Sequence, residues 1–281
     1  MTPLVLLCAS LVVFTPLLVG GQTTPPTGPS KQRVTFKSGE LNLVGFLFKP
    51  NGPGPFPAVV WNHGSEKNPG TGAQFDTVAG VFVPAGYVVF APMRRGHGYS
   101  EGQYISDQVD AVKQKDGAAA AERLVVHLLE TEQLDDQLAG LEYVKHLEYV
   151  DTTRLAVAGC SYGGIQTLLA AERGAGYKAA ISISPAALSW AGNPLLQKRL
   201  IAAVANIQMP VLLLQPPKDA SLEPSRVLGA EFKKLGKPYT GKIFPATGPE
   251  DEQTHCFGGA KGMHVWANDA VAFLAGALAR K

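Results

Sequence analysis

Short apolar runs alternate with helical stretches along most of this chain, and this alternation restricts the possible folds more than any other feature. Runs rich in Val, Ile and Leu are typical of strands that are buried on both faces of a parallel sheet. We interpret as strands the runs 57–61, 86–91, 154–158, 179–183, 210–214 and 239–244. The helical stretches are 74–85, 134–147, 162–173, 224–235 and 265–279. The pattern predicts a doubly wound α/β fold, with a mostly parallel sheet flanked by helices.

Two further segments fall outside this alternation. Residues 34–36 and 41–48 flank a turn at 38–40 and predict a hairpin at the edge of the sheet. Residues 105–132 contain an alanine-rich run, 116–129, that strongly favours helix. This segment is either a helical insertion at the carboxyl ends of the strands, near the mouth of an active site, or an extension of an outer helix.

The amino-terminal residues differ from the rest of the chain. Residues 4–19 are almost wholly apolar and are followed by Gly20-Gly21-Gln22, which is typical of a signal peptide with a small-residue cleavage site after Gly21, here 1–21. Because no Lys or Arg precedes the apolar run, an uncleaved membrane anchor is the alternative. Residues 22–30 predict a flexible linker ahead of one domain at 31–281. We therefore expect an exported protein, periplasmic or secreted, without stable membrane association after signal cleavage.

Charge and composition exclude several classes of partner. The 281 residues carry a net charge of +2 with no extended basic run, so we expect no binding to nucleic acid. A hydrophobic fraction of 46% with 17% charged residues indicates a globular protein with a core. Three cysteines, one of them in the leader, do not make a disulfide framework. Neither a clustered metal-ligand motif nor a dinucleotide-binding glycine pattern occurs in a suitable context, so we expect no cofactor.

The most specific motif is Gly159-Cys160-Ser161-Tyr162-Gly163, which directly follows an apolar strand run and precedes a helical stretch. It matches G-x-S-x-G, in which a serine nucleophile stands on a strained turn between strand and helix. Side chains two residues before and after the serine would collide there, which explains the two glycines. We assign Ser161 as the nucleophile. The Tyr162 N–H, at the positive end of the helix, is a donor to the oxyanion.

The second oxyanion donor is expected in the loop after the 57–61 strand, where His63-Gly64-Ser65 stands. We assign the Ser65 N–H to this role. An ordinary glycine turn is the alternative reading of the motif. We interpret His63 as a support for the loop and not as the acceptor of a proton.

The acid and the base should follow the nucleophile along the chain. Asp219 is the first acidic residue after the strand at 210–214, and we assign it as the acid, with Glu223 as the competing candidate. Only His255 and His264 follow Asp219. We assign His255 as the base because it lies in a polar loop, and His264, at the start of a helix, as structural.

Five short motifs, spread over nearly all of residues 34–278, together resemble a known family. They are His63-Gly64-Ser65, Arg94-Arg95-Gly96-His97-Gly98, Gly159-Cys160-Ser161-Tyr162-Gly163-Gly164, Asp219 with Ser221 and Pro224, and His255-Cys256-Phe257. In this combination the chain resembles the dienelactone hydrolase-like branch of the α/β-hydrolase superfamily. The resemblance implies a triad of Ser161, Asp219 and His255. Because dienelactone hydrolases proper carry cysteine as the nucleophile, it does not imply lactone specificity.

The cysteines and the basic loop allow further interpretations. Cys160 is not the nucleophile, because Tyr162 would then occupy a position that requires a small residue. Cys160 and Cys256 each neighbour a triad residue, so a bridge between them is conceivable in an oxidising compartment. The basic residues of 94–97 either meet an acidic group of the substrate or hold their loop in place.

The motifs predict a serine hydrolase that cleaves carboxylic ester or related acyl bonds of a small-molecule substrate through an acyl-enzyme intermediate. A serine peptidase of the prolyl oligopeptidase type that acts on short peptides is one alternative, although such peptidases usually carry a large additional domain, which we do not expect in this chain. A non-catalytic binding module on the same fold is the other. Such a module would normally have lost a triad residue.

Overall fold

The computed structural model describes residues 30–69 and 73–279. The predicted signal peptide and most of the predicted linker lie outside these residues. Ser30, which the sequence placed in the linker, already begins the first strand.

The centre of the fold is one eight-stranded sheet in the order β1-β2-β4-β3-β5-β6-β7-β8. Its strands are β1 Ser30–Ser38, β2 Leu41–Lys49, β3 Phe56–Asn62, β4 Val88–Pro92, β5 Val150–Cys160, β6 Ala179–Ile183, β7 Val211–Gln215 and β8 Tyr239–Ile243. Strands β1 and β2 form the predicted antiparallel hairpin, and β2 pairs antiparallel with β4. The strands β3 to β8 are parallel to one another. The predicted α/β architecture is therefore confirmed.

The described residues contain eight α-helices, which join the strands or, in the case of α8, follow the last one. They are α1 Ala73–Phe82, α2 Ile105–Asp116, α3 Ala118–Glu130, α4 Glu132–Lys145, α5 Tyr162–Arg173, α6 Pro194–Asn206, α7 Glu223–Lys234 and α8 Met263–Ala277. All five predicted helices occur, but α6 was not predicted. The 105–132 segment does not extend an outer helix, because α2, α3 and α4 are separate helices with breaks at Gly117 and Thr131.

Two buried apolar clusters pack on the two faces of the sheet. The alternation along β5 shows the division: Leu155 and Val157 belong to one cluster, and Ala156 and Ala158 to the other. Because side chains of a strand alternate between faces, a run without polar residues is what a doubly covered strand requires. The parallel strands end at one edge of this sheet, where loops bring residues from distant parts of the chain together.

Among residues 30–69 and 73–279, no helix has the length and apolar character needed to cross a membrane.

Candidate active site

Ser161 stands alone between the end of β5 and the start of α5, with φ 60° and ψ −120°. This conformation is strained for a residue with a side chain and is typical of functional turns. A Cβ atom on Gly159 would lie 2.6 Å from the carbonyl oxygen of Gly163, and one on Gly163 would collide with the carbonyl oxygen of Asn62. The two glycines therefore let strand, turn and helix approach closely enough to present the serine hydroxyl.

The structure brings Ser161, His255 and Asp219 together, although 94 residues separate the first two in the chain. Nε2 of His255 lies 2.8 Å from Oγ of Ser161, and Nδ1 lies 2.7 Å from Oδ1 of Asp219. The His255 side chain is 25% exposed, whereas that of Asp219 is fully buried. A histidine between a hydroxyl and a carboxylate can accept the hydroxyl proton while the carboxylate fixes its tautomer.

Asp219 is held by groups of its own neighbourhood. Its Oδ2 accepts a hydrogen bond of 2.5 Å from Nε2 of Gln215, and its Oδ1 accepts the N–H of Ala220 at 2.8 Å. The hydroxyl of Ser225 donates to Oε1 of Gln215 and thereby fixes the orientation of that amide. The sequence analysis missed Gln215. Its signal was present, since Gln215 is the polar residue that ends the apolar run of β7.

The competing candidates lie elsewhere. Glu223 begins α7, is about half exposed and pairs with Arg226 at 3.0 Å. His264 is exposed on α8, where its Nδ1 lies 3.0 Å from the carbonyl oxygen of Lys261. Neither side chain forms a described hydrogen bond to Ser161 or His255.

The loop that contains Ser65 is held through its carbonyl groups. Arg94 donates to the carbonyl oxygen of His63 at 3.0 Å and to that of Gly64 at 2.6 Å. The hydroxyl of Tyr104, the residue before α2, donates to the carbonyl oxygen of Ser65 at 2.5 Å. Three consecutive carbonyls are thus fixed, which restrains the N–H of Ser65 at the cleft where Ser161 also lies. The residue directly before the 105–132 segment therefore contacts the loop at the mouth of the cleft.

The second oxyanion candidate, Tyr162, is the first residue of α5, and the first N–H groups of a helix have no acceptor within the helix. The Arg94 guanidinium lies over the ring of Tyr162, 4.8 Å from the ring centroid. The hydroxyl of Tyr162 is buried without a hydrogen-bond partner among the described residues, and burial raises its pKa. One buried cation thus contacts both segments that carry the proposed oxyanion donors.

His63 and His97 are buried beside Arg94 and do not line the described part of the cleft. Burial, followed by the neighbouring Arg94 charge, lowers the pKa of His63 well below its usual value and that of His97 to about 3. Burial also lowers the pKa of Arg94 to about 10, which leaves it charged at neutral pH. The side chain of Arg95 donates two hydrogen bonds to Asp136, at 2.8 and 2.9 Å, and its backbone N–H donates a third at 2.8 Å. The basic residues of this loop therefore hold structure and do not reach into the cleft.

Cys160 and Cys256 form a disulfide bond. Both cysteines are partly exposed and line the same cleft as Ser161. The bridge that the sequence left open thus lies directly beside Ser161 and His255 in the chain.

The cleft has a volume of about 540 Å³. Its apolar lining comes from Trp61, Val78, Ile183, Leu188, Met263 and Trp266. The side chains of Glu66 and Gln74 add a polar rim, with Nε2 of Gln74 donating to Glu66 at 2.5 Å. No lysine or arginine belongs to the described lining. Sequence analysis missed these residues because they come from separate elements and share no motif.

Comparisons with known proteins agree with this fold. The model of the prolyl oligopeptidase family matches residues 73–191, a stretch that includes Ser161 but less than half of the chain. The acylaminoacyl peptidase of Pyrococcus horikoshii superposes with a TM-score of 0.68 at 21% identity, over 91% of this chain and 43% of the peptidase. This chain therefore spans less than half the length of that peptidase.

Two smaller proteins are matched over almost their whole length. Est1E from Butyrivibrio proteoclasticus, solved with ferulic acid bound, has a TM-score of 0.66 at 19% identity, over 88% of this chain and 100% of Est1E. An esterase of Pyrococcus furiosus has a TM-score of 0.65 at 16% identity, over 89% of this chain and 92% of the esterase. The chain has the α/β-hydrolase fold. These structural likenesses show the fold, and the prolyl oligopeptidase family match covers the segment that carries Ser161.

Proposed function

We propose that this protein hydrolyses carboxylic esters, or related acyl bonds of small molecules, through an acyl-enzyme intermediate on Ser161. The observation that carries this proposal is the pair of hydrogen bonds from His255, 2.8 Å to the Ser161 hydroxyl and 2.7 Å to the Asp219 carboxylate. A serine hydroxyl is a weak nucleophile unless an adjacent base accepts its proton.

In the proposed mechanism, His255 takes the Ser161 proton as the oxygen attacks the substrate carbonyl. Asp219 orients the imidazole and stabilises its protonated form. The N–H groups of Tyr162 and Ser65 donate to the oxyanion of the tetrahedral intermediate. His255 then protonates the leaving alcohol, and the acyl-enzyme forms. Water, activated by the same imidazole, releases the acid and restores the serine.

The lining of the cleft favours an ester over a peptide. A peptide chain carries backbone donors and acceptors that lose their water on binding and need polar partners. The described lining supplies mainly apolar side chains, among them Trp61 and Met263, with one carboxylate at Glu66. An uncharged ester with an apolar acyl or alcohol group fits this chemistry better. The two structural neighbours of similar length, Est1E with ferulic acid bound and the Pyrococcus furiosus esterase, agree with this preference.

Within the superfamily, we propose a place in the dienelactone hydrolase-like branch with serine as the nucleophile. The five motifs shared with that branch support this placement. The match to the prolyl oligopeptidase family model supports the neighbouring alternative, a peptidase that acts on short peptides.

We also propose that the protein is exported. The apolar run at 4–19 lies outside the described residues, so the support is the sequence pattern together with the Cys160–Cys256 disulfide. Disulfides persist mainly in oxidising compartments. Amino-terminal sequencing of the protein recovered from its native host should give Gln22 as the first residue.

The function is tested with two substrates that share one acyl group, a p-nitrophenyl ester and the matching p-nitroanilide. Wild type and Ser161→Ala are assayed side by side, with circular dichroism to show that both are folded. We expect wild type to hydrolyse the ester and to leave the anilide almost untouched, and Ser161→Ala to hydrolyse neither.

The remaining outcomes separate the alternatives. Anilide hydrolysis comparable to ester hydrolysis, lost in Ser161→Ala, would favour the peptidase. A folded wild type that hydrolyses neither of these two substrates, nor any member of a broad panel of esters and peptides, would favour a binding module.

A further inference from the structure

The proposed base lies in a loop with little regular structure. Residues 244–262 join β8 to α8 and contain only short 3₁₀ turns. Within this loop Cys256 and Phe257 have φ angles of 53° and 58°, in the left-handed region that favours glycine. Such a turn persists only where the surrounding contacts hold it.

Two of these contacts fasten the loop near β8 and the acid. Phe257 is fully buried and packs edge to face on Phe244, with ring centroids 5.0 Å apart. The carbonyl oxygen of Gln253 accepts the N–H of Lys218, beside Asp219, at 2.9 Å. Both contacts hold the loop on the side of the acid. On the side of the nucleophile, the N–H of Cys256 donates to the hydroxyl of Ser184 at 3.4 Å.

The disulfide supplies a covalent link to the nucleophile. Cys160 is the last residue of β5, where it pairs with Ile183 of β6. The N–H of Ser161 donates to the carbonyl oxygen of the same Ile183 at 2.9 Å. The Cys160 end of the bond is therefore fixed in the sheet, and the Cys256 end restrains the loop.

We infer that the Cys160–Cys256 disulfide is a positioning element of the active site, which holds Nε2 of His255 at hydrogen-bond distance from Oγ of Ser161. Ser161 directly follows one cysteine and His255 directly precedes the other, and the Cα atoms of the two cysteines are 6.0 Å apart. One bond thus limits the separation of the two segments that carry nucleophile and base. The inference rests on the proposed function, because it requires His255 to take the Ser161 proton.

A purely structural role would have different consequences. A bond between cysteines 96 residues apart also restricts the unfolded chain and so stabilises the fold. Loss of the bond would then lower the free energy of unfolding without changing turnover by the protein that stays folded. A positioning role instead lowers kcat in the folded protein.

The bond is open to a small reductant, because both cysteines are partly exposed at the cleft. A water-soluble phosphine supplies two electrons, and two protons from water complete the two thiols. The phosphine leaves as its oxide, with its oxygen taken from water. Wild type can therefore be compared with and without the bond, with no change of sequence.

The experiment measures kcat and KM for a short p-nitrophenyl ester before and after phosphine treatment, with near-UV circular dichroism to follow the fold. The double variant Cys160→Ala/Cys256→Ala is assayed in parallel. We expect kcat to fall by about 10²-fold in both, the loss that a displacement of about 1 Å causes in a catalytic arrangement. KM should change by less than about threefold, because Trp61 and Trp266 still line the cleft. As a control, phosphine should leave the double variant unchanged.

Recovery of kcat after reoxidation of the reduced wild type would support the inference. A reduced wild type or double variant that is folded and keeps full kcat would overturn it. Loss of the near-UV signal on reduction would also overturn it, since the bond would then serve the stability of the fold. If the oxidised wild type neither hydrolyses esters nor reacts with a fluorophosphonate, the proposed function itself fails, and the inference falls with it.

Discussion

His255 on one side, and His63 and His97 on the other, lie near the carboxyl ends of the parallel strands, and their surroundings differ. His255 contacts a hydroxyl and a buried carboxylate and is partly exposed to the cleft. His63 and His97 are buried beside the charged Arg94, and their Nδ1 atoms lie 2.9 Å from backbone carbonyl oxygens. A carboxylate stabilises a protonated imidazole, whereas a buried guanidinium opposes it. The neighbours of a histidine, and not its place at a strand end, therefore decide whether it can exchange protons during turnover.

The largest effect should come from the replacement of the base. His255→Gln removes the group that accepts the Ser161 proton in the proposed mechanism, so we expect kcat to fall by at least about 10³-fold. The free energy of unfolding should change little, because the ring is partly exposed. The matched control is His264→Gln on the surface of α8. If kcat fell equally in His255→Gln and His264→Gln, the special role of His255 would be contradicted.

Arg94→Lys tests the buried group that Arg94 forms with His63 and His97. A lysine cannot reproduce the planar fork that contacts the carbonyls of His63 and Gly64. We expect the Ser65 N–H to lose its fixed position and kcat to fall by about 10²-fold, as after removal of one oxyanion donor. The free energy of unfolding should fall by about 2 kcal/mol.

Kinetics with the short ester and urea unfolding measure these two changes. Arg226→Lys, at an exposed ion pair on α7, is the control and should behave as wild type. A folded Arg94→Lys with wild-type kcat would show that the buried group has no part in catalysis.

The buried histidines should also make stability depend on pH. The pKa of His97 is about 3 in the folded protein, against about 6.5 in the unfolded chain. Between these values the unfolded chain binds more protons at this residue, so the contribution of His97 to the free energy of unfolding is greatest above pH 6.5 and falls as the pH decreases. The slope for one such histidine approaches about 1.4 kcal/mol per pH unit, a tenfold change in the unfolding equilibrium.

Urea unfolding of wild type and His97→Asn from about pH 6.5 to 4.5 measures this slope. The variant should have a smaller slope than wild type, while the exposed His264→Asn should retain the full slope. Identical slopes in wild type and His97→Asn would mean that His97 accepts a proton in the folded state.

The smallest effect concerns Glu66. This residue lies at the cleft end of a loop, and the other end of the same loop contacts Arg94. Its exposed carboxylate should repel substrates with an anionic acyl group. We expect Glu66→Gln to raise kcat/KM for a carboxylate-bearing ester by about three- to fivefold relative to its neutral analogue, and added salt to reduce this difference. Asp107→Asn removes an exposed charge outside the described lining and serves as the control. No change in the ratio for Glu66→Gln would place this charge outside the substrate's reach.

The sequence predicted the fold and the residues that meet at the candidate site because each rests on a local pattern. Apolar runs marked the strands, and the glycines around Ser161 marked a turn that tolerates no side chain at those positions. Chain order then restricted the acid and the base to a few residues. The helix α6 was missed, although Asn193 before Pro194 is a helix-start signal and its side chain accepts the N–H of Leu196.

What the sequence could not supply is distance between remote segments. The bond between Cys160 and Cys256, the contact of Arg94 with a loop and with the start of α5, and the lining of the cleft all depend on how the chain folds back on itself. For the same reason, the basic residues at 94–97 could be read either as a substrate site or as support for a loop. In the structure, the burial and the hydrogen bonds of these residues show that they support the loop.

The most direct test of the account is the site of covalent modification. Folded wild type is treated with a fluorophosphonate, digested and analysed by mass spectrometry, beside Ser161→Ala. The account predicts one adduct, on Ser161, which is absent from the variant. A folded wild type that remains unmodified, or that carries its adduct on another residue, would contradict it.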